Sequence, residues 1–138
     1  MNGPPARIPV AFNSDTLARW LTQWSGIWQV PRLDDNVDIR FSRRMRTSLG
    51  RCRADTGRIN INSILLQEHE ELLKEVVCHE VAHVVAYLRH GKRALPHGRE
   101  WKQFMVAAGY EPRARVRSGF LSRHGEKTML AQGGSAAE

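Results

Sequence analysis

The chain has 138 residues, of which 41% are hydrophobic and 25% charged, values typical of one globular domain rather than of a disordered protein. Its two cysteines, Cys52 and Cys78, are too few for a disulfide framework or a four-cysteine zinc ribbon. No apolar run approaches the roughly 18 residues of a membrane-spanning helix, and the N-terminus lacks the apolar core of a signal peptide, so we expect a cytoplasmic protein. The net charge of +7 favours anionic partners such as phosphates or acidic proteins.

The first predicted element is an amphipathic helix over residues 14–28, which Ser14 or Asp15 can cap. Apolar residues recur along it at helical spacing, namely Leu17, Trp20, Leu21, Trp24 and Ile27. The tryptophans of this helix could stack on nucleic-acid bases, but their helical spacing is more typical of a core.

Strand-like segments follow this helix. Residues 37–41 alternate apolar and polar side chains, which predicts a strand. The segments SLGRCR at 48–53 and RINI at 58–61 flank the turn-forming ADTG at 54–57, so we predict a hairpin. Together these strands predict a small antiparallel sheet in an α+β fold.

The most informative segment is a helix predicted from about Glu68 to His90. Its centre is apolar almost all round, so we expect it to be buried between two layers. Gly91 is well placed to end it. A shorter helix is predicted over residues 97–108, with Gly109 as its stop.

His79 and His83 lie four residues apart within this buried helix, in the pattern His-Glu-x-x-His. The spacing puts both imidazoles on one face of the helix, close enough to hold a single zinc ion. Glu80 lies beside the first histidine, where a carboxylate can remove a proton from water and relay it. A buried apolar helix is an unfavourable place for these side chains unless something compensates them, which favours a zinc site over two histidines without a metal.

A catalytic zinc needs a third protein ligand. His90 shares the helix face of His83 but lies about 10 Å further along the axis, so it could bind the same ion only if the helix ended early. His97 follows the loop KRALP and opens the next helix, so the chain can fold back and present it. Glu100, one turn later, is the alternative ligand, and we predict His97.

The strings CHEVAHVVAYL and LPHGREWKQFM resemble the SprT-like metallopeptidase family, which includes the Spartan proteases. The second string contains the family's motif His-Gly-x-x-aromatic-x-x-x-Met, and FSRRMRTSLGRCR with RININ more loosely resembles the hairpin before the metal helix. The resemblance covers roughly residues 14–117. It implies a zincin-like fold with one Zn²⁺ bound by three histidines and Glu80 as the catalytic acid/base; the implied ligands are His79, His83 and His97.

The resemblance further implies a zinc-dependent endopeptidase that acts on proteins crosslinked or tightly bound to DNA. Its expected partners are protein substrates and DNA that is single-stranded or has single-stranded features, with no membrane partner, and we expect a monomer. No cysteine follows Cys78, so the C-terminal zinc ribbon of many bacterial members is not expected. We predict the peptidase domain over residues 14–127, with flexible ends at 1–13 and 128–138.

Positive charge is concentrated on both sides of the acidic metal helix, and residues 40–58 alone contain seven Arg and one Asp. The candidate DNA-binding residues from this stretch are Arg43, Arg44, Arg46, Arg51 and Arg53. A solvated surface explains such a run as well as DNA contact does. Two other functions stay open: a non-catalytic nucleic-acid-binding module with a structural zinc, against which Glu80 argues, and a hydrolase of something other than peptide.

Overall fold

A computed structural model describes residues 13–67, 70–116 and 129–132 of the chain. Over these ranges the fold is α+β, with three α-helices and a small mixed sheet. The helices are α1 (Ser14–Trp28), α2 (Glu70–His90) and α3 (Arg99–Ala107). The strands are β1 (Asp38–Ser42), β2 (Ser48–Arg53), β3 (Arg58–Asn62), β4 (Arg115–Val116) and β5 (Met129–Gln132).

The sheet has the strand order β1-β3-β2-β5-β4, and its mixed pairing corrects the predicted antiparallel sheet. The predicted hairpin is confirmed, because β2 and β3 pair antiparallel around the turn at 54–57. β1, however, runs parallel to β3, with Ile39 beside Ile59. β1 and β2 run in opposite directions and β3 lies between them, so β3 is necessarily parallel to one and antiparallel to the other. β5 adds a second parallel pairing on the other side of β2.

The two faces of the sheet differ sharply in polarity at β2 and β3. Cys52, Ile59 and Ile61 are fully buried on the face that meets α2. Because side chains alternate along a strand, Arg51 and Arg53 fall on the opposite face, where both are exposed. The sheet therefore contributes one apolar face to the core and presents a basic face to solvent.

Helix α1 has the predicted bounds, and its tryptophans belong to the core as predicted: Trp20, Trp24 and Trp28 are all buried. The cap differs from the prediction. Asn13, rather than Ser14 or Asp15, accepts the hydrogen bond from the Thr16 N–H at 2.9 Å, because the cap residue must lie in extended backbone just before the first helical turn.

Arg89 of α2 secures the other end of α1. Its guanidinium donates to the carbonyl oxygens of Trp28 and Gln29 at 2.7 and 2.9 Å, so these C-terminal carbonyls have a donor beyond the helix itself. The Trp28 Nε1–H in turn donates to the carbonyl of Phe104 at 2.8 Å. These bonds join α1 to both α2 and α3.

Residues with a left-handed backbone conformation flank the ends of α2 and α3. α2 ends at His90, and Gly91 follows with φ 64°, as predicted. α3 begins at Arg99, two residues later than predicted, because His97 has φ 60° and cannot be part of a right-handed helix. Gly109, with φ 96°, follows its end.

The described residues contain no helix that is long and apolar enough to cross a membrane. Of the ends predicted to be flexible, residues 1–12, 128 and 133–138 lie outside the described ranges. Residues 129–132 form β5, which pairs with β2.

Candidate metal centre

Three histidines from two chain segments meet between α2 and α3. α2 presents His79 and His83 one turn apart, and the turn after Gly91 brings the chain back so that His97 faces them. One ring nitrogen from each residue lies within 4.8 Å of those of the other two, and the Nε2 atoms of His79 and His97 are 3.0 Å apart. Ligand nitrogens around a tetrahedral zinc are about 3.3 Å apart, so the group fits such an ion.

The left-handed backbone of His97 helps to aim its imidazole at the other two. Residues other than glycine adopt positive φ at a cost of order 1 kcal/mol, and such residues cluster at functional sites. The turn is held by backbone bonds, since the Gly98 N–H donates to the carbonyl of Leu95 at 2.9 Å. Lys102 N–H donates to the Gly98 carbonyl at the same distance and starts α3. His97 is therefore placed by a fixed turn rather than by a free loop.

Trp101 supports all three imidazoles from below. It is fully buried, and its ring lies parallel to that of His83 at a centroid distance of 5.2 Å. It meets the rings of His79 and His97 edge-on at 4.6 and 4.8 Å. Its Nε1–H donates to the His79 carbonyl at 3.1 Å. The sequence indicated Trp101 only as the aromatic residue of the family motif, without indicating this contact.

The environment favours neutral imidazole at His83. Burial, and then the neighbouring His79 and His97, hold the pKa of His83 well below its usual range. The neutral ring is the form that binds a metal. Its Nε2 is buried and has no hydrogen-bond partner among the described residues, as expected of an atom whose partner is an ion.

Glu80 follows His79 in α2 and is completely buried. Burial raises the pKa of its carboxyl well above the usual range, and the positive charge of Arg51 acts in the opposite direction. Within the described ranges neither carboxyl oxygen accepts a hydrogen bond. A raised pKa brings a carboxyl closer to the working range of a general acid/base at neutral pH.

Gly50 of β2 is a second residue whose role the sequence did not indicate, since it faces Glu80 across the sheet–helix interface. A glycine within an otherwise strand-forming segment was the one available signal, because such glycines mark a close approach of other groups. The alternative ligands lie apart: His90 and Glu100 are both half-buried, and neither joins the three-histidine group found in the described part of the chain.

The candidate DNA-binding arginines divide into two sets, and all five are exposed. Arg43, Arg44 and Arg46 lie in the loop between β1 and β2, whereas Arg51 and Arg53 lie on β2. Asn62 supports the loop, because its buried side-chain amide donates to the carbonyls of Met45 and Ser48 at 3.3 and 3.1 Å. No single segment therefore carries all five residues.

The family profile and the related proteins that match this chain all point to the same family. The profile of the SprT-like family matches residues 17–118. Protein SprT of Escherichia fergusonii is 31% identical over 113 residues, which cover 80% of this chain and 67% of that protein. Protein SprT of an Escherichia coli strain is 42% identical over 115 residues with the same coverage, and that of Pectobacterium atrosepticum is 43% identical over 59 residues, or 42% of this chain and 34% of the relative. The chain thus spans about two thirds of the Escherichia proteins.

Proposed function

Because this chain belongs to the SprT-like family, we propose that it is a zinc-dependent endopeptidase. The imidazoles of His79, His83 and His97 hold one Zn²⁺, and Glu80 is the catalytic acid/base. The packing of α2 between the sheet and α3 supports a zincin-like arrangement for this site.

The observation that carries the proposal is the meeting of three histidine nitrogens, with a buried carboxyl on the residue that follows His79 in the chain. Neutral nitrogen donors suit zinc. Structural zinc sites are usually closed by four protein ligands, whereas catalytic sites have three and an open position. In the described part of the chain no fourth His, Cys, Asp or Glu joins the group, which supports a catalytic role.

The residues of the site then have distinct tasks. Bound zinc supplies a Lewis acid for the scissile carbonyl and for the attacking water. Glu80 accepts a proton from the attacking water and delivers it to the leaving amine. Trp101 keeps the imidazoles in place by packing against their rings.

We further propose that the substrates are proteins bound or crosslinked to DNA, with single-stranded DNA as partner. The support is electrostatic: the net charge is +7, and arginines lie exposed on the loop at 43–47 and on the outward sheet face. On that face Arg53 is the register partner of Arg58, and Arg51 is that of Asn60. Arginine suits bidentate contact with phosphates. We also propose that the protein is cytoplasmic and monomeric.

The second candidate function is a non-catalytic nucleic-acid-binding module with a structural zinc. The exposed arginines fit that function equally well. It gives the buried Glu80 carboxyl no role, however, although burying an acidic group costs free energy. The two functions differ in whether peptide bonds are cleaved.

The test combines metal analysis with a casein-cleavage assay, with and without single-stranded DNA. We expect about one zinc per chain, cleavage that a chelator abolishes and added zinc restores, and stimulation by DNA. Glu80→Gln, which keeps the size of the side chain but removes the base, should retain zinc and lose about 10²- to 10⁴-fold in kcat. Bound zinc and bound DNA without any cleavage would instead support the binding module. Equal cleavage by Glu80→Gln would contradict the assigned role of Glu80.

A further inference from the structure

β2 passes very close to α2 at the point where Gly50 faces Glu80. A Cβ atom on Gly50 would lie 2.8 Å from Glu80 Oε2, 3.0 Å from Glu80 Cγ and 3.1 Å from Val76 Cγ1. Separations under 3.0 Å are essentially never made by a real Cβ, so something would have to shift. Gly50 lies within a strand and is not among the positive-φ glycines of the described residues. It is therefore the space beside Glu80, and not the backbone conformation, that requires glycine here.

Strand pairing on both sides of β2 opposes movement of Gly50 away from α2. Gly50 is in register with Ile61 of β3 on one side and with Ala131 of β5 on the other. A displacement of Gly50 away from the helix would disturb the hydrogen bonds of two pairings at once. A methyl group at this position would therefore displace the Glu80 side chain. Ordinary van der Waals contact begins at 3.4 Å, so the carboxyl would have to move by roughly 0.6 Å.

Among the described residues, packing contacts and not hydrogen-bond donors position the Glu80 carboxyl. It is completely buried, and neither oxygen receives a hydrogen bond from the residues that the structure describes. Its location relative to the three histidines is consequently set by the surfaces it touches, and the bare backbone at Gly50 is one of these on the sheet side.

We infer that Gly50 is a positioning residue for Glu80: the absent side chain of Gly50 sets where the carboxyl lies beside the metal centre. This inference rests on the proposed function. Misplacing a catalytic group by about 1 Å can reduce a rate by roughly 100-fold. We therefore expect the displacement of the Glu80 carboxyl to weaken stabilisation of the transition state, which lowers kcat, and to leave substrate binding nearly unchanged.

The kinetic test compares Gly50→Ala with Gly26→Ala. Gly26 is the matched control, because a Cβ added there meets nothing within 4 Å. We expect Gly50→Ala to lower kcat on casein-derived peptides by about 10- to 100-fold, with KM changed less than about twofold and zinc content unchanged. Gly26→Ala should keep the parent kcat. A Gly50→Ala enzyme with the parent kcat would overturn the inference.

A second measurement does not depend on peptidase activity. In the metal-free protein, the decrease in Tm caused by Gly50→Ala is measured in the parent and again in a Glu80→Ala background. If the added methyl group presses on Glu80, the decrease in Tm should be at least halved once that side chain is removed; the Val76 contact accounts for the remainder. An equal decrease in both backgrounds would overturn the inference. A parent that cleaves nothing would count against the proposed function alone, and this cycle would still decide whether Gly50 positions the carboxyl.

Discussion

The burial of Glu80 makes the stability of the metal-free protein depend on pH. Its pKa is raised in the folded state, whereas an unfolded glutamate titrates near 4.3. The folded state then holds a proton that the unfolded state has released, so this group's contribution to stability is present below about pH 4.3 and is lost as pH rises through the folded pKa.

Glu80→Gln removes this titration. We expect the chelator-treated variant to have a higher Tm than the parent near pH 7 and a flatter Tm profile between about pH 5 and 8. Thermal unfolding at several pH values measures both. The lowered pKa of His83 destabilises the fold on acidification in both proteins alike, so the difference between the two profiles isolates Glu80. Parallel profiles would show that the buried carboxyl does not carry this linkage.

The third ligand can be tested without confusing ligand loss with backbone strain. His97 has a positive φ, so His97→Ala would strain the turn as well as remove the imidazole. His97→Asn is the better variant, because asparagine tolerates this conformation. We expect it to weaken zinc affinity by at least about 100-fold and to lower the Tm of the zinc-loaded protein.

Glu100→Gln is the control for His97→Asn and should leave zinc affinity unchanged. Competition with a chromophoric chelator measures both variants. If only Glu100→Gln loses the metal, the site has two histidines and one glutamate instead.

At the level of elements, Trp101 couples the docking of α3 to the metal centre. Trp101→Phe keeps an aromatic ring but removes the Nε1–H that donates to the His79 carbonyl. We expect a loss of about 1 kcal/mol in the free energy of unfolding, as for one hydrogen bond, and a decrease of about 10-fold in zinc affinity. Trp101→Ala, which empties a fully buried site, should lose about 3–5 kcal/mol. Denaturant unfolding and metal competition measure these effects; zinc affinity that is unchanged in Trp101→Phe would show that the bond does not orient His79.

Elements that depend on local pattern could be predicted from the sequence. Helix α1 has the predicted bounds because its apolar spacing continues to Trp28, and the β2–β3 hairpin follows from its turn residues. The order of strands could not be predicted, because the insertion of β3 between β1 and β2 depends on contacts distant in the chain. The start of α3 was misplaced because nothing local shows that His97 adopts a left-handed conformation.

The same distinction applies to the site. The spacing of His79 and His83 within one helix is local, so their proximity followed from the sequence. The meeting of His97 with them rests on the turn after α2, for which the sequence offered only the predicted loop KRALP and a family resemblance. The contacts of Trp101 and Gly50 are tertiary and became visible only in the fold.

At the scale of the whole molecule, exposed arginines form two separate surfaces that could contact DNA. One is the loop surface formed by Arg43, Arg44 and Arg46. The other is the outward sheet face formed by Arg40, Arg51, Arg53 and Arg58. On the sheet face Asp38 lies 3.1 Å from Arg40, and Asp55 lies 3.4 Å from Arg53, so part of its charge is neutralised. Among the ion pairs of the described residues the three loop arginines do not occur, which makes the loop the stronger candidate for phosphate contact.

Salt dependence of DNA binding tests the loop surface directly. Each phosphate contact to single-stranded DNA contributes about −0.7 to the slope of log affinity against log salt, because it releases condensed counterions. Replacing Arg43, Arg44 and Arg46 by Gln removes up to three contacts and should flatten that slope by roughly two units, with zinc content and DNA-independent peptide cleavage unchanged. Replacing Arg19 by Gln, which removes an exposed charge on α1 that occurs in none of the ion pairs of the described residues, is the control for loss of charge elsewhere and should change the slope little. Fluorescence titrations at several salt concentrations measure the slopes. If the loop variant keeps the parent slope while Arg51→Gln with Arg58→Gln flattens it, then DNA lies on the sheet face and the loop is only a solvated surface.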